Sequence, residues 1–140
     1  MSLPSLAAWA IWDTPPAPTY TRHRVAMLGD AAHATTPYQG QGAGQAIEDA
    51  LVISAVLAKV QTPNQIPNAL AAYDQIRRPR AQRIVETSRE AGLLAGMSLQ
   101  GVGDDLDKMG GNLKTRMHWV WNRDMVAQAG EAVELFEESL

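Results

Sequence analysis

The chain has 140 residues, 46% hydrophobic and 19% charged, the size and balance of one globular domain with a modest core. Twelve Lys and Arg against fifteen Asp and Glu leave a formal charge of −3, which argues against the broad basic field that nucleic-acid binding needs. Cysteine is absent, which excludes disulfides, thiolate zinc sites and cysteine nucleophiles; this fits a reducing compartment, and the cytoplasm is the expected location.

In chain order, the apolar stretch Met1–Trp12 lacks a basic leader, so no export signal is expected, and the Pro-rich segment to about Arg24 reads as an extended connection. Arg24-Val25-Ala26-Met27-Leu28, stopping at Gly29-Asp30, suits a short buried strand whose partners the rest of the chain does not obviously supply. From Ala43 the positions Ala43, Ala46, Ile47, Ala50, Leu51, Ser54, Leu57 and Ala58 follow helical spacing, and Val52, Ile53 and Val56 predict a helix buried on nearly every side. That run, to Val60, is broken by Gln45, Glu48 and Asp49 and falls short of the ~20 apolar residues that span a bilayer, so no membrane partner is expected. A further helix should open at Pro67 and end or kink at Pro79, and another should run from Arg80 to Ala95. Residues 96–111 hold five glycines and three aspartates and read as a mobile loop. Residues 112–140 read as a helical tail with Met117, Val120, Trp121 and Met125 inward and an acidic end (Glu131, Glu134, Glu137, Glu138) whose sign opposes the helix dipole and should fray it.

The chemistry-bearing stretch runs from Gly29 to Ala50. It reads as a strand end, an exposed acid at Asp30, a loop set by Pro37, then Gly40, Gly42 and Gly44 opening a helix. Uncovered N–H groups at a helix N-terminus would accept a phosphate or an electron-rich planar group, and Asp30 would accept from ligand hydroxyls. A dinucleotide fingerprint fails, because Gln45 or Ile47 stands where its third glycine belongs; a phosphate-binding loop of the Gly-Lys-Ser/Thr kind fails because Gln45-Ala46 follows Gly44. From the glycines alone, a ligand cradle and a merely structural turn are equally open.

The run Arg24-Val25 through Gly29-Asp30-Ala31-Ala32-His33, then Pro37 and Gly40-Gln41-Gly42-Ala43-Gly44-Gln45-Ala46-Ile47-Glu48-Asp49-Ala50-Leu51, resembles the second flavin-binding motif of the class A FAD-dependent aromatic hydroxylases. Ala34-Thr35-Thr36-Pro37, Tyr73-Asp74, Arg77-Arg78-Pro79-Arg80 and Trp12-Asp13 look most like the salicylate hydroxylase branch. The resemblance covers about Trp9 to Ser88 and corresponds to the C-terminal third of such an enzyme. It implies an α/β class, the C-terminal portion of an FAD/NAD(P)-binding, para-hydroxybenzoate hydroxylase-like fold, with this stretch mostly α-helical and carrying one short strand. On that reading residues 1–95 complete an FAD-binding domain. The cofactor implied is FAD, with NAD(P)H as reductant, and the activity implied is hydroxylation of an aromatic acid such as salicylate by the full enzyme. Carried over by position, Asp30 would hold the ribityl hydroxyls with Gly29 allowing close approach, Pro37 would lie beside the flavin ring on the substrate side, and the N–H groups of Gly42, Ala43 and Gly44 would face the N1 and C2 carbonyl edge. His23 departs from the pattern, standing where many relatives have glycine. The Rossmann and substrate regions of the family have no counterpart here, so the alternative is a non-catalytic helical fragment or interaction module that binds no flavin by itself; expected partners are self-association or an N-terminal portion.

Other residues read more plainly. His33, with small neighbours and no third ligand, reads as a structural loop histidine rather than a metal ligand or base. Glu48 and Asp49 point in different directions on a helix and read as dipole-favoured acids of its early turns. Arg77, Arg78, Arg80 and Arg83 read as a surface or interdomain salt-bridge network with Asp74, Glu86 and Glu90. Trp119 and Trp121 with Met117 and Met125 read as packing, or as an exposed apolar patch.

Overall fold

A computed structural model describes residues 9–140; the expectations for residues 1–8 lie outside the described residues. The chain enters as an irregular segment, then forms a ribbon of two-residue strands, β1 (Thr21–Arg22) and β2 (Val25–Ala26), antiparallel with Thr21 opposite Ala26 and Arg22 opposite Val25. The strand expected at Arg24–Leu28 thus finds its partner immediately upstream, in the segment read as connection. His23 makes the turn at φ 57°, a left-handed conformation that glycine adopts without strain. Val25 is exposed, and Met27 and Leu28 run on past the pairing.

Six helices follow: α1 (Asp30–His33), α2 (Gly42–Leu57), α3 (Ile66–Ala95), α4 (Leu106–Thr115), α5 (His118–Trp121) and α6 (Met125–Glu138). The core lies where α2, α3 and α6 meet, and alanines at the contact (Ala69, Ala72, Ala81, Ala129, Ala132) let the helix backbones approach. Val52 and Val56 from α2, Tyr73 from α3 and Phe136 from α6 fill it, each fully buried.

The inward face of α2 is not the expected one. Gln45, Asp49, Val52 and Val56 point in, three or four residues apart on one stripe, while Ile47 is 71% exposed and Ala43, Ala50 and Leu51 also face out. Polar residues win the interior at Gln45 and Asp49 because they meet matched partners there, described below.

Helix α3 is a single 30-residue element with Pro79 inside it, where two helices were expected. Proline removes one N–H, the one that would reach the Gln75 carbonyl, but both residues lie on the exposed side, where water can serve that carbonyl. The helix start is well determined: Thr62 and Gln65 form a reciprocal capping box just before it, and Pro67 sits in its first turn.

The Gly/Asp segment expected as a loop over 96–111 becomes helical from Leu106 on. Asp105 caps α4, its side chain accepting from the Lys108 N–H at 3.1 Å, and the helix carries on through Gly110 and Gly111. In the tail, Val120 is buried as expected, but Trp121 is 68% exposed and Met117 and Met125 are only half buried. The acidic end of α6 stays regular to Glu138, because Phe136 anchors the last turn and Asn68 Nδ2 donates to the Ser139 carbonyl at 2.9 Å. Phe136→Ala should therefore lower the unfolding free energy by about 3–5 kcal/mol in urea titrations, and a loss below ~1 kcal/mol would show that α6 contributes little to the core.

Candidate functional site

The site begins at Gly29, buried with φ 56°, a value that strains any side chain; a Cβ there would also touch Ala46 Cβ at 3.4 Å. Its carbonyl accepts from the N–H groups of Ala32 and His33, both at 2.9 Å, which winds α1 at once. Asp30 is the first residue of that turn; it is exposed, and its carboxylate makes no hydrogen bond among the described residues.

The following loop is pinned to α3. Thr36 and Ser88, both buried, exchange hydroxyl contacts at 2.9 Å and, from Ser88 Oγ to the Thr36 carbonyl, at 2.6 Å. Pro37 opens a short 3-10 turn over Pro37–Gln39, which Gly40 ends in the left-handed region. Helix α2 starts at Gly42 with no side-chain cap, and its first backbone bond inside this turn is Gln45 N–H to the Gln41 carbonyl at 2.9 Å. The N–H groups of Gly42, Ala43 and Gly44 have no acceptor among the described residues. The expected site residues are thus brought together on α1, the 3-10 turn and the first turn of α2, with Gly29 against Ala46 and Thr35 Cγ2 only 3.6 Å from where a Gly42 Cβ would stand. A carboxylate free to accept and a row of N–H groups free to donate, at a helix N-terminus, fit the polar parts of a flavin cofactor.

Underneath lies a buried ionic network. Asp49, fully buried, accepts from the Gly29 N–H at 2.9 Å and His33 Nε2 at 2.5 Å on Oδ2, and from Arg77 Nε at 2.8 Å on Oδ1. Arg77, also fully buried, donates further to Glu48 Oε2 at 2.6 Å, Gln45 Oε1 at 2.8 Å and Gln128 Oε1 of α6 at 3.2 Å. Arg80 forks onto both oxygens of Glu48 at 2.8 and 3.0 Å and reaches the Val120 carbonyl at 3.1 Å.

Glu48 and Asp49 are therefore not simple dipole-favoured acids: they are the counter-ions of α3. The arginine cluster is a salt-bridge network, as expected, but largely interior and with other partners. Only Arg78–Asp74 follows the predicted pairing, at 3.1 Å, while Arg89 meets Asp13 at 2.8 Å and Arg83 stacks 4.1 Å over the Trp119 ring. The signal for the network was present in the alternation of Gln45, Glu48 and Asp49 with apolar residues, but their partners on α3 are 28 to 32 residues away in sequence and no periodicity reveals that. His33 is buried against Asp49, as a structural histidine would be.

Burial works to raise the Asp49 pKa, but hydrogen bonds from His33, the Gly29 N–H and Arg77, with the Arg77 charge, outweigh it and hold the carboxyl below the usual carboxylate range. Burial likewise opposes ionisation of Glu48, and Arg80 and Arg77 again prevail.

Residues 5–88 match the protein family described as "FAD binding domain", well over half of the chain. The chain belongs to that FAD-binding family. It is 46% identical over 130 residues to the 6-methylsalicylate 1-monooxygenase of Aspergillus terreus, covering 93% of this chain and 29% of that protein. It is 43% identical over 131 residues to a salicylate hydroxylase of Pseudomonas putida, covering 93% and 30%. Among solved structures it resembles a salicylate hydroxylase substrate complex, with a TM-score of 0.86 and 46% identity over 89% of this chain and 31% of that one. The chain thus spans under a third of the relatives it matches. Its fold is a mostly helical portion of the para-hydroxybenzoate hydroxylase-like architecture, and FAD is the cofactor of the family. No helix among the described residues is long and apolar enough to cross a membrane.

Depressed carboxyl pKa values stabilise the fold above the unfolded value near 4, and that stabilisation is lost as pH falls through the lower, folded values. Arg77→Leu leaves Asp49 buried without its cation and should cost about 3–5 kcal/mol at pH 7. Because Asp49 can then take up a proton on folding, the gap between variant and parent should narrow as pH is lowered towards 4; urea unfolding of both proteins at pH 7 and 5 measures it, and a constant gap would mean that the lost term is packing rather than charge.

Proposed function

We propose that this chain is the flavin-holding segment of an NAD(P)H-dependent monooxygenase that hydroxylates a small aromatic acid such as salicylate. The single observation that carries this reading is the pair of complementary groups left without partners among the described residues: the Asp30 carboxylate after Gly29, and the N–H row of Gly42, Ala43 and Gly44 at the start of α2. The family membership and the names of the relatives support the same reading.

Bound here, FAD would supply electron transfer from NAD(P)H and the activation of O2. The residues do the rest. Asp30 accepts from the ribityl hydroxyls, and Gly29 lets the backbone come close. The N–H groups of Gly42, Ala43 and Gly44, with the positive end of α2 behind them, stabilise negative charge on the ring edge they face, a contribution of about 0.3–1 kcal/mol, or ~2 when partly buried. Pro37, exposed at the head of its turn, would present a rigid surface to the bound ring.

A second reading, a helical module that retains no flavin by itself, is favoured by the apolar outer face of α2, where Ile47, Leu51 and Leu57 are exposed at 71%, 38% and 40%. The two readings separate on the flavin content of the purified 140-residue chain. Near-stoichiometric FAD, with Asp30→Ala weakening retention about ten- to a hundredfold by loss of a charge-assisted hydrogen bond, supports the first. A colourless chain that takes up no added FAD supports the second. Gly42→Val should in addition shift the visible spectrum and reduction potential of any bound flavin, and an unchanged spectrum would remove Gly42 from the ring edge.

A further inference from the structure

An open groove of about 470 Å³ lies over the middle of α3, walled also by α5 and by the first half of α6. Its apolar part is Ile76, Pro79 and the Trp119 ring, and three arginines, Arg80, Arg83 and Arg123, stand in it against a single acid, Glu131. In a chain of formal charge −3 this is a local excess of positive charge. The volume is that of a small-molecule site.

Two of the arginines have acid partners: Arg80 forks onto Glu48, and Arg123 donates to Glu131 through Nη2 alone. Arg83 has no carboxylate partner among the described residues; it is exposed, with its guanidinium 4.1 Å from the centroid of the Trp119 ring. The decisive group is Gln128 of α6, only 3% exposed. Arg77 can only donate, so the Gln128 atom that it meets at 3.2 Å is the amide oxygen, and the NH2 group takes the other side. That NH2 makes no hydrogen bond among the described residues and is not sealed from water, so it opens onto the groove that Gln128 lines. A buried amide held from behind by an arginine is a fixed donor. One acceptor accompanies it: Pro79 leaves the Gln75 carbonyl without its helical donor, and both residues are in the wall.

We propose that this groove binds a phosphate monoester of a small polar carrier, its phosphate on Arg83, on the remaining donors of Arg123 and on the Gln128 amide. Three donor groups suit the three terminal oxygens of a phosphate better than the two of a carboxylate, and the arginine fork matches such oxygens in pairs. The carrier lies along Ile76 and Pro79, with a hydroxyl donating to the Gln75 carbonyl. Glu131 opposes the anion by charge and holds one edge of Arg123, so it limits how tightly the phosphate is held. The proposal stands apart from the flavin reading, since none of these residues belongs to the stretch from Gly29 to Gly44. Arg77 connects the two regions, touching Gln128 on one side and Asp49 on the other.

The test is calorimetric titration of the 140-residue chain with ribose 5-phosphate, inorganic phosphate, ribose and acetate, at neutral pH and constant ionic strength. Ribose 5-phosphate should bind saturably, about tenfold or more tightly than ribose or acetate, and more tightly than inorganic phosphate. Arg83→Gln, at an exposed position, should weaken it about tenfold by loss of a charge-assisted hydrogen bond. Glu131→Gln should tighten it about threefold by removing the opposing charge, a gain that no loss of folding produces. Gln128→Glu keeps an oxygen for Arg77 and sets a second carboxylate oxygen where the NH2 stood, so it should abolish binding with parental circular dichroism. Absence of saturable binding, acetate bound as tightly as the phosphates, or an affinity indifferent to both Arg83→Gln and Glu131→Gln would each overturn the proposal. Equal affinity for ribose 5-phosphate and inorganic phosphate would overturn the carrier's part in it and keep the phosphate site.

Discussion

The arrangement turns on one guanidinium. Arg77 is fully buried in the middle of α3 and donates to Asp49, Glu48 and Gln45 on α2 and to Gln128 on α6, so a single side chain fixes the rotation of α2 and ties all three core helices. A buried charge of this kind is weak evidence for added stability, since well-packed apolar residues can do as much. What it supplies is register. A helix whose outward face is Ala43, Ile47, Ala50 and Leu51 could bury that face instead; it does not, because turning it would strand Arg77 and Asp49 without each other.

From Asp49 the constraint passes to the turn that opens at Gly29. Its second oxygen takes both the Gly29 N–H and His33 Nε2, which are the two ends of the α1 turn. Asp30 sits inside that turn, so its carboxylate is aimed by a residue on the next helix rather than by its own contacts, of which the described residues provide none. The same helix that presents Gly42–Gly44 at its first turn therefore also orients Asp30, through Asp49. Rigid placement of this kind keeps an unfilled donor row and an unfilled acceptor from collapsing onto each other or onto local partners.

Much of this was legible in the sequence, and the limits are physical. The run from Gly29 to Ala50 carries turn, loop and helix start in consecutive residues, so local chemistry places Asp30, Pro37 and the glycines without help from the fold. The reading fails where tertiary pairing outbids a local rule. Pro79 was expected to end a helix, but α3 continues because the cost falls on one exposed carbonyl while Arg77 and Arg80 on either side are anchored across the core. The apolar count of α2 pointed its face the wrong way, because hydrophobic periodicity cannot see that Gln45 and Asp49 have partners in α3. Gly110 and Gly111 suggested a loop, yet one aspartate cap at Asp105 suffices to start α4. Tyr38, Gln39, Gly92 and Arg116 drew no notice at all, since nothing in their spacing shows that residues 38 and 116 line one cleft.

Thr87 joins that cleft to the loop. Its hydroxyl contacts the Gln39 side-chain oxygen and its carbonyl accepts from Arg116, so one residue on α3 holds the turn that presents Pro37 and the arginine that gives the cleft its charge. Helices α4 and α5 bury little core of their own; between them they hold Arg116 and an apolar wall opposite Tyr38.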